Sequence, residues 1–234
     1  MTWIVTNDDG IDAPGLQALV QAIDLIIPKE IARPTMIVAP RDHQSGCGHQ
    51  VTTVGPIVVD QRSAQAFAVA GTPVDCVRLG LSQFCPGVKL VLSGINAGAN
   101  LGVDAYISGT VAAVREAAFH QLPGIAISHY RQGDRPLDWA RASRWTANVV
   151  AKLLRHPIEP DSFWNVNLPH LLPNDPDPDV VFCQSSTQPL PVNYRYHDGQ
   201  YHYVGKYQER DRSLGTDVDV CFGGAIAITQ IRLY

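Results

Sequence analysis

Asn7-Asp8-Asp9-Gly10 sets two carboxylates side by side, directly after the short apolar run Trp3-Ile4-Val5. Adjacent carboxylates repel, so holding both ionised in a confined site is unfavourable without a cation. Oxygen-only donors of this kind suit hard divalent ions such as magnesium, manganese or calcium. The competing reading is a solvated turn, because Asn, Asp and Gly all favour turns. Two further segments carry groups of matching chemistry. APRDHQSGCGHQ, residues 39–50, offers the Ser45 hydroxyl together with Arg41, His43, Cys47 and His49. Its two histidines are too few for a zinc site, which takes three or four N or S ligands. They read as loop residues, one of which can serve as a proton donor. SGINAGANLGVDAYISGTVAAVREAA, residues 93–118, is richer. Asn96 can lend a neutral carbonyl oxygen to a metal, and Gly98, Asn100 and Gly102 make an irregular, close-approach loop. Ser108-Gly109-Thr110 then opens a helix with hydroxyls and free N–H groups at its positive end, a phosphate site in physical terms. Plain N-capping is the alternative reading of that start. No GxxxxGK[ST] stretch is present, so this is not a P-loop, and no GxGxxG supports a dinucleotide site.

These groups act together only if the fold brings them to one place, and the surrounding pattern predicts that it does. Strand-like runs at 3–6, 35–39, 67–69, 90–92, 124–128 and 163–167 alternate with helix-like segments at 16–27, 74–81, 109–120 and 139–154. Pro14 and Gly15 mark the start of the first helix, and Pro28 marks its stop. Residues 51–59 read as extended. This alternation predicts an α/β fold, a Rossmann-like, mostly parallel sheet with helices on both faces. In such sheets ligands bind outside the carboxyl ends of the strands. All three polar segments follow strands, so Asp8, Asp9, Ser45, Asn96 and the Ser108 helix start are expected at one sheet edge. A metal there would polarise a phosphoryl oxygen and lower the pKa of a water that attacks phosphorus.

The last third differs. Residues 169–178 are Pro-rich and read as a linker. Residues 193–203 alternate polar and aromatic residues around Asp198-Gly199, a hairpin signal, and 224–233 reads as a closing strand. The division expected is a catalytic core over 1–168, with linker, β-hairpin oligomerisation arm and closing strand over 169–234. Tyr194, Tyr196, Tyr201, Tyr203 and Tyr207 are placed on that arm, where they favour an intersubunit contact.

The chain has 234 residues, 45% apolar and 17% charged, with a net charge of −4. That is an ordinary globular composition with no basic field for a nucleic-acid duplex or an anionic membrane. No apolar run approaches the roughly 20 residues of a membrane-spanning helix. The N-terminus lacks a basic, signal-like start, and a cytoplasmic protein is expected. The five cysteines, Cys47, Cys76, Cys85, Cys183 and Cys221, are scattered with no CxxC pair, which argues against a disulfide framework. Cys76 and Cys221 read as core fillers.

Six segments, TNDDGIDAPGLQAL, VAPRDHQSG, VAGTPVDCVRLGL, VLSGINAGANLG, SGTVAAVREAAFHQLPGIAIS and NVNLP, run in order from residue 5 to about residue 169. Through them the chain resembles the SurE family, the survival-protein nucleotidases. The resemblance implies a Rossmann-like domain and a phosphatase using one divalent metal, magnesium or manganese, per subunit. It implies hydrolysis of nucleoside 5′- and 3′-monophosphates, in homodimers or homotetramers that exchange C-terminal arms. By motif position it implies Asp8, Asp9, Ser45 and Asn96 as metal ligands. Asp8 and Asp9 also become the catalytic pair, one of them orienting the water. Asn96, Asn100, Ser108, Gly109 and Thr110 are implied around the phosphate. Departures from the family pattern fall at Cys47 and His49-Gln50, at Ile107 between Tyr106 and Ser108, and at Gln230 in place of a proline. A non-catalytic nucleotide-binding module and a broader phosphomonoesterase or exopolyphosphatase are the rival readings.

Overall fold

The apolar runs of the chain assemble into one mixed sheet. The computed structural model describes residues 2–27, 35–156 and 158–234, so Pro28, the expected stop of the first helix, lies outside the described residues. The strands are β1 (Thr2–Thr6), β2 (Thr35–Pro40), β3 (Val59–Ser63), β4 (Ala66–Val69), β5 (Val88–Asn96), β6 (Gly124–His129), β7 (Ser162–Leu168), β8 (Val180–Phe182) and β11 (Ile226–Arg232), with β9 (Tyr194–His197) and β10 (Gln200–Tyr203) forming a separate hairpin. The nine-stranded sheet runs in the order β3-β4-β2-β1-β5-β6-β7-β11-β8. Its neighbours are parallel except at the β3–β4 and β7–β11 pairs. The central strands are buried on both faces, which is why they read as continuous apolar runs rather than as alternating ones.

Helices cover both faces, as the alternation predicted. Helix α1 (Pro14–Ile26) and α4 (Trp139–Leu153) pack Leu16, Leu19, Ile23, Trp145 and Val149 against one side. Helix α2 (Pro73–Leu79) and α3 (Gly109–Phe119) pack Val77, Val111 and Val114 against the other. Thr72 and Asp75 form a reciprocal capping box at the start of α2. Asp75 also accepts from Thr52 N at 2.9 Å and Thr52 Oγ1 at 2.7 Å, which pins the far end of the 39–50 loop to this helix.

Several expectations shift. Of residues 51–59 only Val59 belongs to a strand. Helix α2 stops at Leu79 and continues as a wide turn over Gly80–Phe84. Three elements went unread, β3 beyond its first residue, β8 and the short helix α5 (Asp217–Phe222). Three strand residues or six helical ones are too few for a period to show. The hairpin stands where it was expected, with Tyr194, Tyr196, Tyr201 and Tyr203 exposed. Tyr207 is not part of it: it lies in a turn beyond the hairpin, packed on Tyr130 and Phe222. The closing strand β11 pairs with β7 inside the main sheet. All five cysteines are free, and Cys76 and Cys221 are buried as core residues. No described helix is long and apolar enough to cross a membrane.

His129 closes β6 and is 2% exposed, against Trp139, Trp145 and His170. Burial, helped by His170, pushes its pKa from 6.5 down to about 4. The unfolded chain therefore binds a proton at a pH where the folded one does not. Stability from this group is whole above pH 6.5 and is lost as pH falls towards the folded value, by about 3 kcal/mol. Urea unfolding midpoints measured between pH 7 and pH 4.5 should fall with acidification, and His129→Gln should flatten that slope. An unchanged slope in the variant would assign the acid sensitivity to other groups.

Candidate active site

The carboxyl ends of β1, β2 and β5 lie side by side, and the three polar loops leave from them. After β1, the Asn7 side chain donates to Gly10 O at 2.8 Å and closes the turn that holds the two carboxylates. Asp8 points inward and is 3% exposed, whereas the Asp9 side chain keeps 16% of its surface. Loop two is laced to this turn: Ile11 N donates to Pro40 O at 2.8 Å, and Gln44 N to Asp8 O at 2.7 Å. Loop three reaches it from β5, where Ala97 N donates to Asp9 Oδ2 at 3.1 Å. At Gly94 the backbone of β5 passes so close to β6 that a Cβ would stand 2.1 Å from Ile127 O, and its φ of +136° suits glycine alone. That approach brings Asn96 to the sheet edge beside Asp9.

Helix α3 begins against Asp8. The Thr110 hydroxyl donates to Asp8 Oδ1 at 2.5 Å, and the Thr110 N–H also bonds to this carboxyl. The Ser108 hydroxyl accepts from Val111 N at 3.1 Å, an N-cap. Gly109 allows the contact: a Cβ there would meet Asp8 Cβ at 2.9 Å and Cys47 Sγ at 3.0 Å. Burial raises the Asp8 pKa; the Thr110 bonds oppose the rise and the Asp9 charge adds to it. Among the described residues Asp8 has no cationic partner, and Asp9 meets only the exposed His43 ring, Nδ1 to Oδ1 at 3.4 Å. This carboxylate pair, one buried and one partly open, is thus short of positive charge among the described residues, the state that a hard cation relieves.

The remaining expected residues are distributed as follows. Ser45 is exposed at the turn of loop two. Asn96 ends β5 and donates through Nδ2 to Gly98 O at 2.8 Å, which leaves its amide oxygen as a donor atom for a metal. Asn100 is buried and ties loop three to two strands, β6 and β7: its side chain donates to Ser128 Oγ at 2.7 Å, its N–H to Asn167 Oδ1 at 2.8 Å, and its carbonyl accepts from Asn165 and Asn167. Among the described residues no group of three or more His, Cys, Asp or Glu side chains gathers as a metal site. Two carboxylates with neutral Ser and Asn oxygens are a set whose chemistry would suit a hard divalent ion and not zinc.

Supporting residues were missed. His49 is held by buried Glu116, Nε2 to Oε2 at 3.0 Å, and Arg78 donates to the same carboxylate at 3.0 Å. Burial works against this charge, but His49, His120 and Arg78 hold Glu116 below its usual range. Burial and the neighbouring Asp8 push the Cys47 thiol up, so it stays neutral. Asp104, within loop three, and Asp217, on α5, tie that loop to the C-terminal third: Asp104 accepts from Leu101 N and pairs with Arg210, and Gly102 N donates to Asp217 at 2.7 Å. The only local signal was the pair of carboxylates flanked by glycines, Gly102-Val103-Asp104 and Gly215-Thr216-Asp217. A larger hollow of about 740 Å³ lies at the opposite, amino edge of the sheet, lined by Trp3, Lys89, Gln121 and Ser162 among others. It touches none of the residues above, so size does not mark the site.

The family model described as Survival protein SurE matches residues 3–189. A Nostoc protein is 58% identical over the whole of both chains. The 5′-nucleotidase SurE of Paramagnetospirillum magneticum is 36% identical, covering 97% of this chain and 88% of its own. The crystal structure of the SurE protein from Aquifex aeolicus superposes with a TM-score of 0.86 at 29% identity, over 100% of this chain and 94% of that one. The chain belongs to the SurE family.

Proposed function

We propose that this chain is a divalent-metal-dependent phosphomonoesterase that hydrolyses nucleoside 5′- and 3′-monophosphates to nucleoside and phosphate. The observation that carries the reading is the buried Asp8 beside Asp9, lacking a cationic partner among the described residues and set against the start of a helix. Its support is that the Paramagnetospirillum magneticum relative bears the name 5′-nucleotidase. Asp8, Asp9, Ser45 and Asn96 would hold one magnesium or manganese ion. When bound, that ion supplies charge neutralisation at the phosphoryl group and lowers the pKa of water.

The chain's own groups do the rest. Thr110 fixes Asp8 through both its hydroxyl and its N–H, so this carboxylate holds and does not move. Asp9, tied to Ala97 N and exposed on its other side, is the one placed to orient the attacking water. The Asp9 carboxylate and the His43 ring lie 3.4 Å apart, where a proton leaving that water can pass. The Gly109 N–H and the Ser108 hydroxyl hydrogen face the phosphate from the positive end of α3. Asn100 acts from behind, by bracing the loop on β6 and β7. The hairpin β9–β10, with its exposed tyrosines, is the surface for a second copy of the chain in a homodimer or homotetramer.

The test is a turnover assay across nucleoside 5′- and 3′-monophosphates with magnesium or manganese, repeated in EDTA. Phosphate release that needs the metal is the expected outcome, and full activity in EDTA would sink the reading. Short polyphosphates and simple phosphate esters in the same panel separate a nucleotidase from a broader phosphatase.

A further inference from the structure

Ser45 sits in a short turn of loop two, Gln44 to Cys47, closed by Cys47 N donating to Gln44 O at 3.2 Å. On the entry side Gln44 N holds this turn to Asp8 O at 2.7 Å. On the exit side stand Gly46 and Gly48, with φ of +78° and +58°. Glycine adds no stiffness of its own, so the exit side keeps its place only through ties to the rest of the fold. Ser45 itself is exposed.

The nearest such hydrogen-bonded tie is His49. Its Nε2 lies 3.0 Å from Glu116 Oε2, and a charged carboxylate only accepts, so Nε2 carries the hydrogen. The ring packs on Phe119, with centroids 5.3 Å apart. Its Nδ1 is enclosed and has no partner among the described residues. With one nitrogen spent on Glu116 and the other shut from solvent, this ring cannot hand a proton to a substrate. His43 is the open histidine of the loop, its side chain 63% exposed beside Asp9. Glu116, with a side chain 4% exposed, lies on α3 seven residues after Gly109, two turns along and on the same face. Gly109 opens that helix against both Asp8 and Cys47. Loop two thus runs along α3, with Cys47 at its first turn and His49 two turns on. One helix therefore fixes Asp8 through Thr110 and the exit of the Ser45 turn through Glu116. The later ties, Thr72 Oγ1 to Gln50 O at 2.6 Å and Thr52 to Asp75, hold the loop to α2 instead.

We propose that His49, gripped by Glu116, is a positioning residue that sets Ser45 against Asp8 for the metal ion. It touches neither metal nor substrate. Its tie orders the glycine-rich turn in advance, so the Ser45 hydroxyl joins the ion with less loss of chain freedom. Removing the ring does not strand Glu116, because Arg78 at 3.0 Å and His120 at 3.3 Å keep its other oxygen paired. The fold should therefore survive the change. The inference rests on the reading of Asp8 and Ser45 as metal ligands, and the experiment separates it from the phosphatase activity.

Manganese binding is measured by calorimetry on the full chain without substrate. His49→Ala should raise the manganese Kd by about tenfold, with little change in the metal-free thermal midpoint. His49→Gln keeps a side-chain N–H that can donate to Glu116 and should restore most of the affinity. The decisive arm is a double-mutant cycle. In a Ser45→Ala background His49→Ala should add little, because no hydroxyl remains to be positioned. Equal affinity in the parent and His49→Ala would overturn the proposal. So would a loss that is undiminished in the Ser45→Ala background, since the ring would then act on the fold at large. Turnover of a nucleoside monophosphate is followed separately. A parent that binds manganese but releases no phosphate removes the phosphatase reading, while the cycle still decides the role of His49. A parent that binds no manganese overturns both.

Discussion

Asp8→Asn should reduce kcat/KM for a nucleoside monophosphate by about 10³-fold or more, without unfolding the protein. The size follows from losing several kcal/mol of charge stabilisation at the reacting phosphoryl group. The absence of a folding penalty follows from the surroundings of the residue. Asp8 is 3% exposed, and burial already raises its pKa, so its charge costs stability in the metal-free protein. Asparagine has the same shape and no charge, and its Oδ1 can still accept from the Thr110 hydroxyl, now 2.5 Å from Asp8 Oδ1. The thermal midpoint of metal-free Asp8→Asn should therefore equal or exceed that of the parent. The rise in midpoint on adding magnesium or manganese should shrink or vanish. Retained metal-dependent turnover would remove Asp8 from the site. A lowered metal-free midpoint would show that its role is structural. Asp9→Asn provides the contrast. Its side chain is more open and bonds to Ala97 N, so the same loss of rate should come with a smaller change in metal-free stability.

Arg210→Ala should be the most destabilising single change of those considered. Arg210 and Asp104 form an ion pair at 2.6 Å with side chains 2% and 8% exposed. Asp104 Oδ2 also accepts from Tyr207 Oη at 2.6 Å and Leu101 N at 3.1 Å, and Arg210 donates back to Leu101 O at 3.0 Å. Burial works against the Arg210 charge, but Asp104 holds it firmly protonated. Burial and the same carboxylate push the Tyr207 hydroxyl up, so it remains a donor. Removing the guanidinium leaves Asp104 charged in a dry site, at a cost of about 3–5 kcal/mol. For a chain of this length that lowers the thermal midpoint by roughly 10 °C. Asp104→Ala with Arg210→Ala should cost less than Arg210→Ala alone, because the stranded charge is gone. Equal or larger loss in the double variant would mean that packing, not charge, holds the clamp. Since Leu101 and Gly102 lie between Asn100 and Ser108, the single variant should also weaken substrate binding before it unfolds.

Much of the architecture was legible in the chain alone. The runs at 3–6, 35–39, 90–92, 124–128 and 163–167 became strands of the central sheet because a strand buried on both faces needs an unbroken apolar stretch. The helices at 16–27, 109–120 and 139–154 followed from their spacing and their breakers, to within two residues at either end. The three polar loops then had to share an edge, since strands that run parallel end on the same side of the sheet. All of this is local chemistry: pattern, turn and cap act within a few residues of one another.

The roles inside the site were another matter. NDDG shows two equal carboxylates, and only packing made them unequal, burying Asp8 under α3 and leaving Asp9 open towards His43. Thr110 read as a phosphate donor, yet its hydroxyl is spent on Asp8, 102 residues earlier in the chain. Tyr207 read as part of the arm, yet it bonds to Asp104 across 103 residues, and Arg210 does so across 106. No periodicity or motif spans such separations. Which carboxylate is desolvated, and which donor satisfies it, depends on what the sheet and helices bring together when water is expelled between them.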